Sequence, residues 1–253
     1  MIDHAGLMTR AAMLRRRLGE GSSSPVDILA LAQGIEGLTI VYYPLGERLS
    51  GMCVKGQGNN HLIAVNSAMT LGRQRFSMAH EFYHLYFDRN MVSVCAKKMN
   101  TGKDTERSAD MFASYFLMPD AALCEMAGKL ADRNPDGLLT LDDVIRIEQF
   151  FGISHKAAVF RLMHTQYLDS GDGEDFLKAA VRRRAAAMGY SPDLYLPSPG
   201  ERRYMTYGSY IVQAERVFEK RLVSAGKYEE LLMDAFRTDL VYGDGEKEDN
   251  VVD

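Results

Sequence analysis

Arg75-Phe-Ser-Met-Ala-His80-Glu81-Phe82-Tyr83-His84-Leu-Tyr-Phe-Asp88 is the stretch on which the reading of the whole chain turns. It contains the pattern H-E-x-x-H. On a helix, residues four apart lie one above the other, so His80 and His84 project from one face. That separation lets two neutral imidazole nitrogens share one small tetrahedral cation. Glu81 falls at the edge of the same face, where it can reach a metal-bound water without ligating the metal itself. Phe76, Met78, Ala79, Phe82, Leu85, Tyr86 and Phe87 make the helix apolar on nearly every side, which predicts a buried central helix. Two histidines and a carboxylate are costly in such a place unless something binds or pairs them. The competing reading is a pair of core histidines that merely flank a glutamate.

A second stretch weighs against that reading. Glu106-Arg-Ser-Ala109-Asp110-Met-Phe112-Ala113-Ser-Tyr-Phe-Leu117-Met118-Pro119 follows downstream. H-E-x-x-H followed by E-x-x-A-[N/D]-x-F-A-x-x-x-L-M-P resembles the ImmA/IrrE family of zinc metallopeptidases, specifically across Asn66 to Pro119 and more loosely over the flanks. The resemblance implies an α+β fold: a zincin-like core of a small β-sheet and the H-E-x-x-H helix, followed by a mainly helical C-terminal part. It implies one zinc ion held by His80, His84 and Glu106, with Glu81 as the catalytic base. Spacing alone allows either Glu106 or Asp110 to reach the metal, because they lie one turn apart on one helix face. The family pattern has glutamate at the first position and usually asparagine at the second. It therefore assigns the ligand to Glu106 and leaves Asp110 to accept the N–H that a metal-bound imidazole has free. Phe82 and Tyr83 depart from the family's common H-E-L-G-H, and tyrosine where glycine is usual adds bulk beside the site. The resemblance further implies a bacterial or mobile-element regulator that cleaves a partner protein, typically a helix-turn-helix repressor or antitoxin, and so acts in transcription regulation.

The 253 residues suffice for one sizeable core, or for one domain with an appendage. Composition is that of an ordinary globular protein, 46% hydrophobic and 25% charged, with a net charge of −4. That charge gives no footing for general binding to nucleic acid or anionic membrane. Cys53, Cys95 and Cys124 are widely spaced and odd in number, and they read as reduced thiols in a cytoplasmic protein. Arg15-Arg-Arg17 is not followed by a continuous apolar run, which argues against a signal peptide. No apolar run is long enough to span a bilayer.

In chain order, residues 3–18 carry Leu7, Ala11, Leu14 and Leu18 at helical spacing. With the break at Gly19–Pro25 they give an N-terminal helix and linker over 1–24. The zincin-like domain is expected over 25–168. Ser24 as N-cap and Pro25 at the first helical position predict a second helix through Gln33. Three strands are expected: Gly37–Tyr43, Gly51–Lys55 and His61–Asn66, the last two as a hairpin around Gly56–Asn60. The resemblance implies that the strand before the metal helix holds substrate backbone by β-augmentation, a place occupied here by His61, Leu62, Ile63, Ala64, Val65, Asn66; an ordinary edge strand is the alternative. Thr70 is placed to cap the metal helix. Met91–Thr105 reads as a loop near the cleft, and Thr105–Met118 as the next helix.

Residues 138–168 read as a helix-turn-helix-like unit. Thr140 caps Leu141–Phe151, Gly152 turns, and Ser154 caps His155–Met163. Asp142, Asp143 and Glu148 cancel Arg146, Lys156 and Arg161, whereas a groove-reading helix carries a positive excess; the charge favours packing or substrate docking over DNA contact. Asp169–Asp175 reads as a polar linker and the best internal boundary. A helical region over 175–242 follows, with helices near Asp175–Met188, Tyr210–Ala225 and Tyr228–Thr238. The tail over 243–253 is acidic and reads as disordered. Candidates for a second electrophile to stabilise the oxyanion are Tyr83, Tyr115, His61 and His155, the two histidines reading otherwise as strand and capping residues. The rival function is a non-proteolytic regulator that keeps the zinc fold and docks a protein or DNA; an intact Glu81 speaks against it.

Overall fold

The computed structural model describes residues 2–96 and 104–243. Helix α1 (His4–Arg17) is capped by the Asp3 side chain, which accepts from the Gly6 amide. It buries Leu7, Ala11 and Leu14, and also Arg15. The Arg15 guanidinium donates to the carbonyls of Gly21, Ser24 and Phe116. A buried cation is costly unless its donors are used, and here it is fixed by one carbonyl at the end of another helix and two from the following loop.

Those bonds also displace an expected start. Helix α2 covers only Ile28–Gln33, with Asp27 at its N-cap, so Pro25 is not a first helical residue. Arg15 takes the Ser24 carbonyl, while Arg75 donates to the Val26 carbonyl and pairs with Asp27 at 3.0 Å. The chain between Ser24 and Asp27 is thereby held by two arginines rather than wound into a helix.

The sheet contains β1 (Leu38–Tyr43), β2 (Leu49–Lys55), β3 (His61–Asn66), β4 (Val92–Ala96) and β5 (Met205–Gly208), in the order β4-β2-β3-β1-β5. β2 and β3 form the expected antiparallel hairpin, and β1 runs parallel to β3. β3 is therefore the central strand, with both edges hydrogen-bonded. The expectation that His61–Asn66 receives substrate backbone is corrected: no edge of β3 is open to a further strand. Part of the stretch expected as a loop is β4, an edge strand antiparallel to β2; residues 97–103 of that stretch lie outside those described. Asn66 closes β3 by donating to the carbonyls of Gly46 and Leu49 and accepting from the amides of Leu45 and Ala68.

Helix α3 (Leu71–Phe87) packs on β2 and β3 and lies against α4 (Asp104–Leu117), which in turn packs on α1. Thr70 occupies the N-cap of α3, yet its side chain makes no cap bond; the Leu71 amide instead donates to the Leu196 carbonyl at 2.7 Å. A segment far along the chain thus satisfies the helix start. Helix α5 (Asp120–Ala131) follows. The caps read from the sequence then hold for α6 (Leu141–Phe151) and α7 (His155–His164): Thr140 and Asp143 form a reciprocal box, and Ser154 accepts from Ala157. Gly152 adopts φ 64°, the left-handed turn that glycine reaches without strain.

The stretch expected as a linker is helical, α8 (Ser170–Lys178), capped by Asp169 and packed on α7. The helix expected near Asp175–Met188 breaks before α9 (Val181–Ala187). α10 (Ser209–Glu219), α11 (Ala225–Asp234) and α12 (Thr238–Tyr242) are the last helices among the described residues. β5 pairs with β1, so the C-terminal region contributes to the same sheet as the metal helix. All of the expected acidic tail beyond Gly243 lies outside the described residues.

Gly72 lets the helical pair α6–α7 rest on the first turn of α3. A Cβ there would lie 2.8 Å from the Ser154 amide nitrogen and 2.9 Å from the Ile153 carbonyl carbon. Both are backbone atoms that cannot rotate away. Gly72→Ala should destabilise the protein by roughly 1–3 kcal/mol through overpacking. A chemical-denaturation midpoint equal to that of the wild type would show that this contact does not bear the packing.

Candidate metal centre

The two histidines come together as their spacing demands. His80 and His84 lie on the buried face of α3, with their Nε2 atoms 3.2 Å apart. Glu106, from the first turn of α4, places Oε2 3.4 Å from His80 Nε2 and Oε1 3.5 Å from His84 Nε2. These separations approach the edge of a tetrahedron built on metal–nitrogen bonds of about 2.0–2.1 Å, which is roughly 3.3 Å. Asp110, one turn beyond Glu106, has Oδ1 2.9 Å from His80 Nδ1. Spacing left Glu106 and Asp110 interchangeable; the geometry separates them, one facing both Nε2 atoms and the other behind a ring.

His84 has its own carboxylate. Asp88, the C-cap of α3, places Oδ2 2.9 Å from His84 Nδ1 and is itself held by the Asn90 amide and side chain. Asp88 went unremarked in the sequence, although its signal was there: an acidic residue four positions beyond the second histidine. Both rings thus have Nδ1 occupied and Nε2 directed into the cluster, the orientation a metal-binding imidazole needs.

Charge is crowded here. Burial pulls His80 down, but the Asp110 and Glu106 carboxylates outweigh it and push it up to about 9. Burial and the neighbouring His80 charge pull His84 down. Glu106 is lowered, chiefly by its hydrogen bond to His80.

Glu81 is fully buried, and burial pushes it up to about 7. Its Oε2 accepts from the Cys95 thiol at 3.4 Å, while Oε1 has no hydrogen-bond partner among the described residues. Gly51 on β2 makes room for it: a Cβ at Gly51 would lie 2.7 Å from Oε1. A buried carboxylate oxygen left without a donor is expensive, and this one sits beside the donor cluster. Among the described residues, His80, His84, Cys95 and Glu106 each offer one atom such that all lie within 4.8 Å of one another. Two nitrogens, a carboxylate oxygen and a sulfur are a donor set suited to zinc, so the residues present fit a divalent cation. Cys95 and Gly51 are functional-site neighbours that the sequence reading missed, because the register of β4 and β2 brings them in.

The other candidates are placed elsewhere. Tyr83 is buried with its ring edge-on to His84 and packed with Phe87 and Phe112. The Tyr115 hydroxyl is bonded to His4 at 3.1 Å, with the Arg161 guanidinium over its ring; it is committed to the junction of α1, α4 and α7, a correction to its candidacy as oxyanion stabiliser. His155 uses both ring nitrogens, on Glu148 and on the Phe176 carbonyl, so it is neither a plain capping residue nor an available electrophile. His61 lines a cavity of about 820 Å³ with Glu36, Asn59 and Tyr86, and none of the cluster residues. Another cavity, of about 1010 Å³, is likewise lined by none of the cluster residues; it reaches the start of α3 at Thr70 and Arg73.

No helix among the described residues is long and apolar enough to cross a membrane. The family model described as the IrrE N-terminal-like domain of peptidase M78 matches residues 35–163, which span the sheet through β3, α3, α4 and the α6–α7 pair. The chain is also 32% identical over 221 residues to a curated protein of Deinococcus deserti named radiation response metalloprotease IrrE, covering 79% of this chain and 75% of that one. With its α+β zincin-like fold and these two matches, the chain belongs to the ImmA/IrrE family of metallopeptidases.

Proposed function

We propose that this metallopeptidase is a zinc endopeptidase that cleaves a partner regulatory protein in the cytoplasm, with His80, His84 and Glu106 holding one zinc ion and Glu81 acting as general base. The observation that carries the reading is the meeting of Nε2, Nε2 and carboxylate at 3.2 to 3.5 Å beside a buried glutamate oxygen with no donor of its own among the described residues. Zinc bound there would supply a nucleophilic water near neutral pH and polarise the scissile carbonyl. Glu81 Oε1 takes the proton from the attacking water and returns it to the leaving amine. Asp110 and Asp88 hold the two rings in the tautomer that leaves Nε2 free to bind.

An extended substrate segment has one strand edge available near this cluster. β4 is the end strand of the sheet, Val92 and Val94 are 56% and 53% exposed, and Cys95 on the same strand points to Glu81. Backbone pairing along β4 would bring a peptide past the metal ligands by β-augmentation. The family resemblance supports a helix-turn-helix repressor or antitoxin as the partner. DNA contact is not part of the reading, because Arg161 pairs with Asp120, Arg146 with Asp143, and α8 packs on α7.

The test joins metal analysis to a cleavage assay on the regulator encoded beside this gene. One zinc per chain with chelator-sensitive cleavage supports the proposal, and a metal-loaded protein that cleaves nothing overturns it. Glu81→Gln should keep zinc and fold while cleavage falls by about 10²- to 10⁴-fold, since an amide cannot accept the water proton; full activity in that variant would exclude Glu81 as the base. Gly51→Ala should act directly on the base. Its new methyl pushes Glu81 Oε1 from its place, so cleavage drops while zinc content stays at the wild-type level; equal activity would mean that the carboxylate tolerates the shift. The carboxylates on α4 should differ in kind. Glu106→Ala is expected to leave the site nearly empty of zinc, whereas Asp110→Asn keeps it with affinity weakened about 10- to 100-fold. Zinc titration of both variants decides, and the reverse order would exchange ligand and support.

A further inference from the structure

The donor set is larger than the three ligands proposed above. β4 alternates its side chains, so Val92 and Val94 face outward while Ser93 and Cys95 turn in. Antiparallel pairing of Gly51 with Cys95 carries that thiol onto the floor of the site. There its sulfur joins one atom each from His80, His84 and Glu106 within a mutual 4.8 Å. Cys53, on the neighbouring strand, and the exposed Cys124 are not in the group.

A sulfur that only hydrogen-bonds Glu81 need not also lie within 4.8 Å of a donor atom on each of His80, His84 and Glu106. Thiolate is among the preferred donors of zinc, with a bond of about 2.3 Å. A set of four protein donors is the composition of a closed tetrahedral site, whereas catalytic sites keep one position open.

Building on the assignment of His80, His84 and Glu106, we propose that Cys95 is a fourth protein ligand of the resting metal centre, so that the peptidase is held with its coordination shell closed. Forming the bond breaks S–H and makes sulfur–metal, with no change of oxidation state. The proton passes to Glu81 Oε2, which already accepts the thiol hydrogen bond, and then to solvent, as thiol coordination requires. Hydrolysis needs the position that sulfur holds. Cys95 therefore leaves before the chemistry, and a peptide laid along β4 acts on the strand that carries it.

The full-length protein, stripped of metal and titrated with cobalt(II), tests the assignment without relying on cleavage. Wild type and Cys53→Ser should bind one cobalt per chain and show the intense near-ultraviolet sulfur-to-cobalt charge-transfer band. Cys95→Ser should bind one cobalt per chain and lose that band. One cobalt per chain in the wild type with no such band overturns the fourth ligand and leaves the three-ligand site standing; this outcome needs no variant to fold. A band that persists in Cys95→Ser assigns the sulfur to another cysteine and also overturns it. Failure of the wild type to bind stoichiometric cobalt or zinc removes both assignments.

Discussion

Two imidazoles and a glutamate sit inside a helix that is otherwise packed as core, and the surrounding architecture answers the cost of putting them there. Desolvating a charged or polar group without a partner is worth several kcal/mol against folding. The protein meets this with carboxylates drawn from two places: Asp110 from α4 behind one ring, and Asp88 from the end of α3 behind the other. These partners fix which nitrogen of each ring faces inward. The cluster is thus oriented by hydrogen bonds that do not themselves touch its centre, and α4 must run close to α3 for them to form. Ala109 and Ala113, both fully buried, permit that approach.

The glycines show where backbone has to give way to chemistry. Gly51 leaves space on the sheet for the Glu81 carboxylate, and Gly72 leaves space at the start of α3 for the turn between α6 and α7. One makes room for Glu81, the other for the seat of the helix that carries it. Around them Asn66 and Gln74 gather loop carbonyls, Gln74 donating to Ser67 and Met69. Polar side chains that bind backbone in this way make α3 a rigid platform, which a site needing sub-ångström placement requires.

Much of this was legible because its signals are local. The H-E-x-x-H spacing, the Glu106–Asp110 turn and the caps at Thr140, Gly152 and Ser154 each depend on residues within four positions of one another, and the structure brings His80, His84, Glu106 and Asp110 together and places Glu81 beside them. What escaped depends on distant segments. Strand order is a long-range property, so β3, expected to be a substrate-holding or ordinary edge strand, proves central once β1 pairs beside it. β4 hides in a stretch of mixed polarity because half its face is solvent. The start of α2 shifts because Arg15 and Arg75 claim carbonyls that no local rule connects to them. Tyr115 lies on the α4 helix, yet its hydroxyl belongs to α1, and only packing reveals that.

The pairing of β5 with β1 has a consequence for how the molecule can be divided. The family match ends at residue 163, and the polar run after it looks like a natural place to cut. A fragment ending there would bare the edge of β1 from Thr39 to Tyr42, with Ile40 and Tyr42 next to an unfilled ladder. It would also lose the Leu196 carbonyl that satisfies the Leu71 amide at the head of α3. Exposed strand edges invite pairing between molecules, so such a fragment is apt to associate with itself. The minimal unit is set by the full width of the sheet, and its border lies beyond Gly208 at the end of β5.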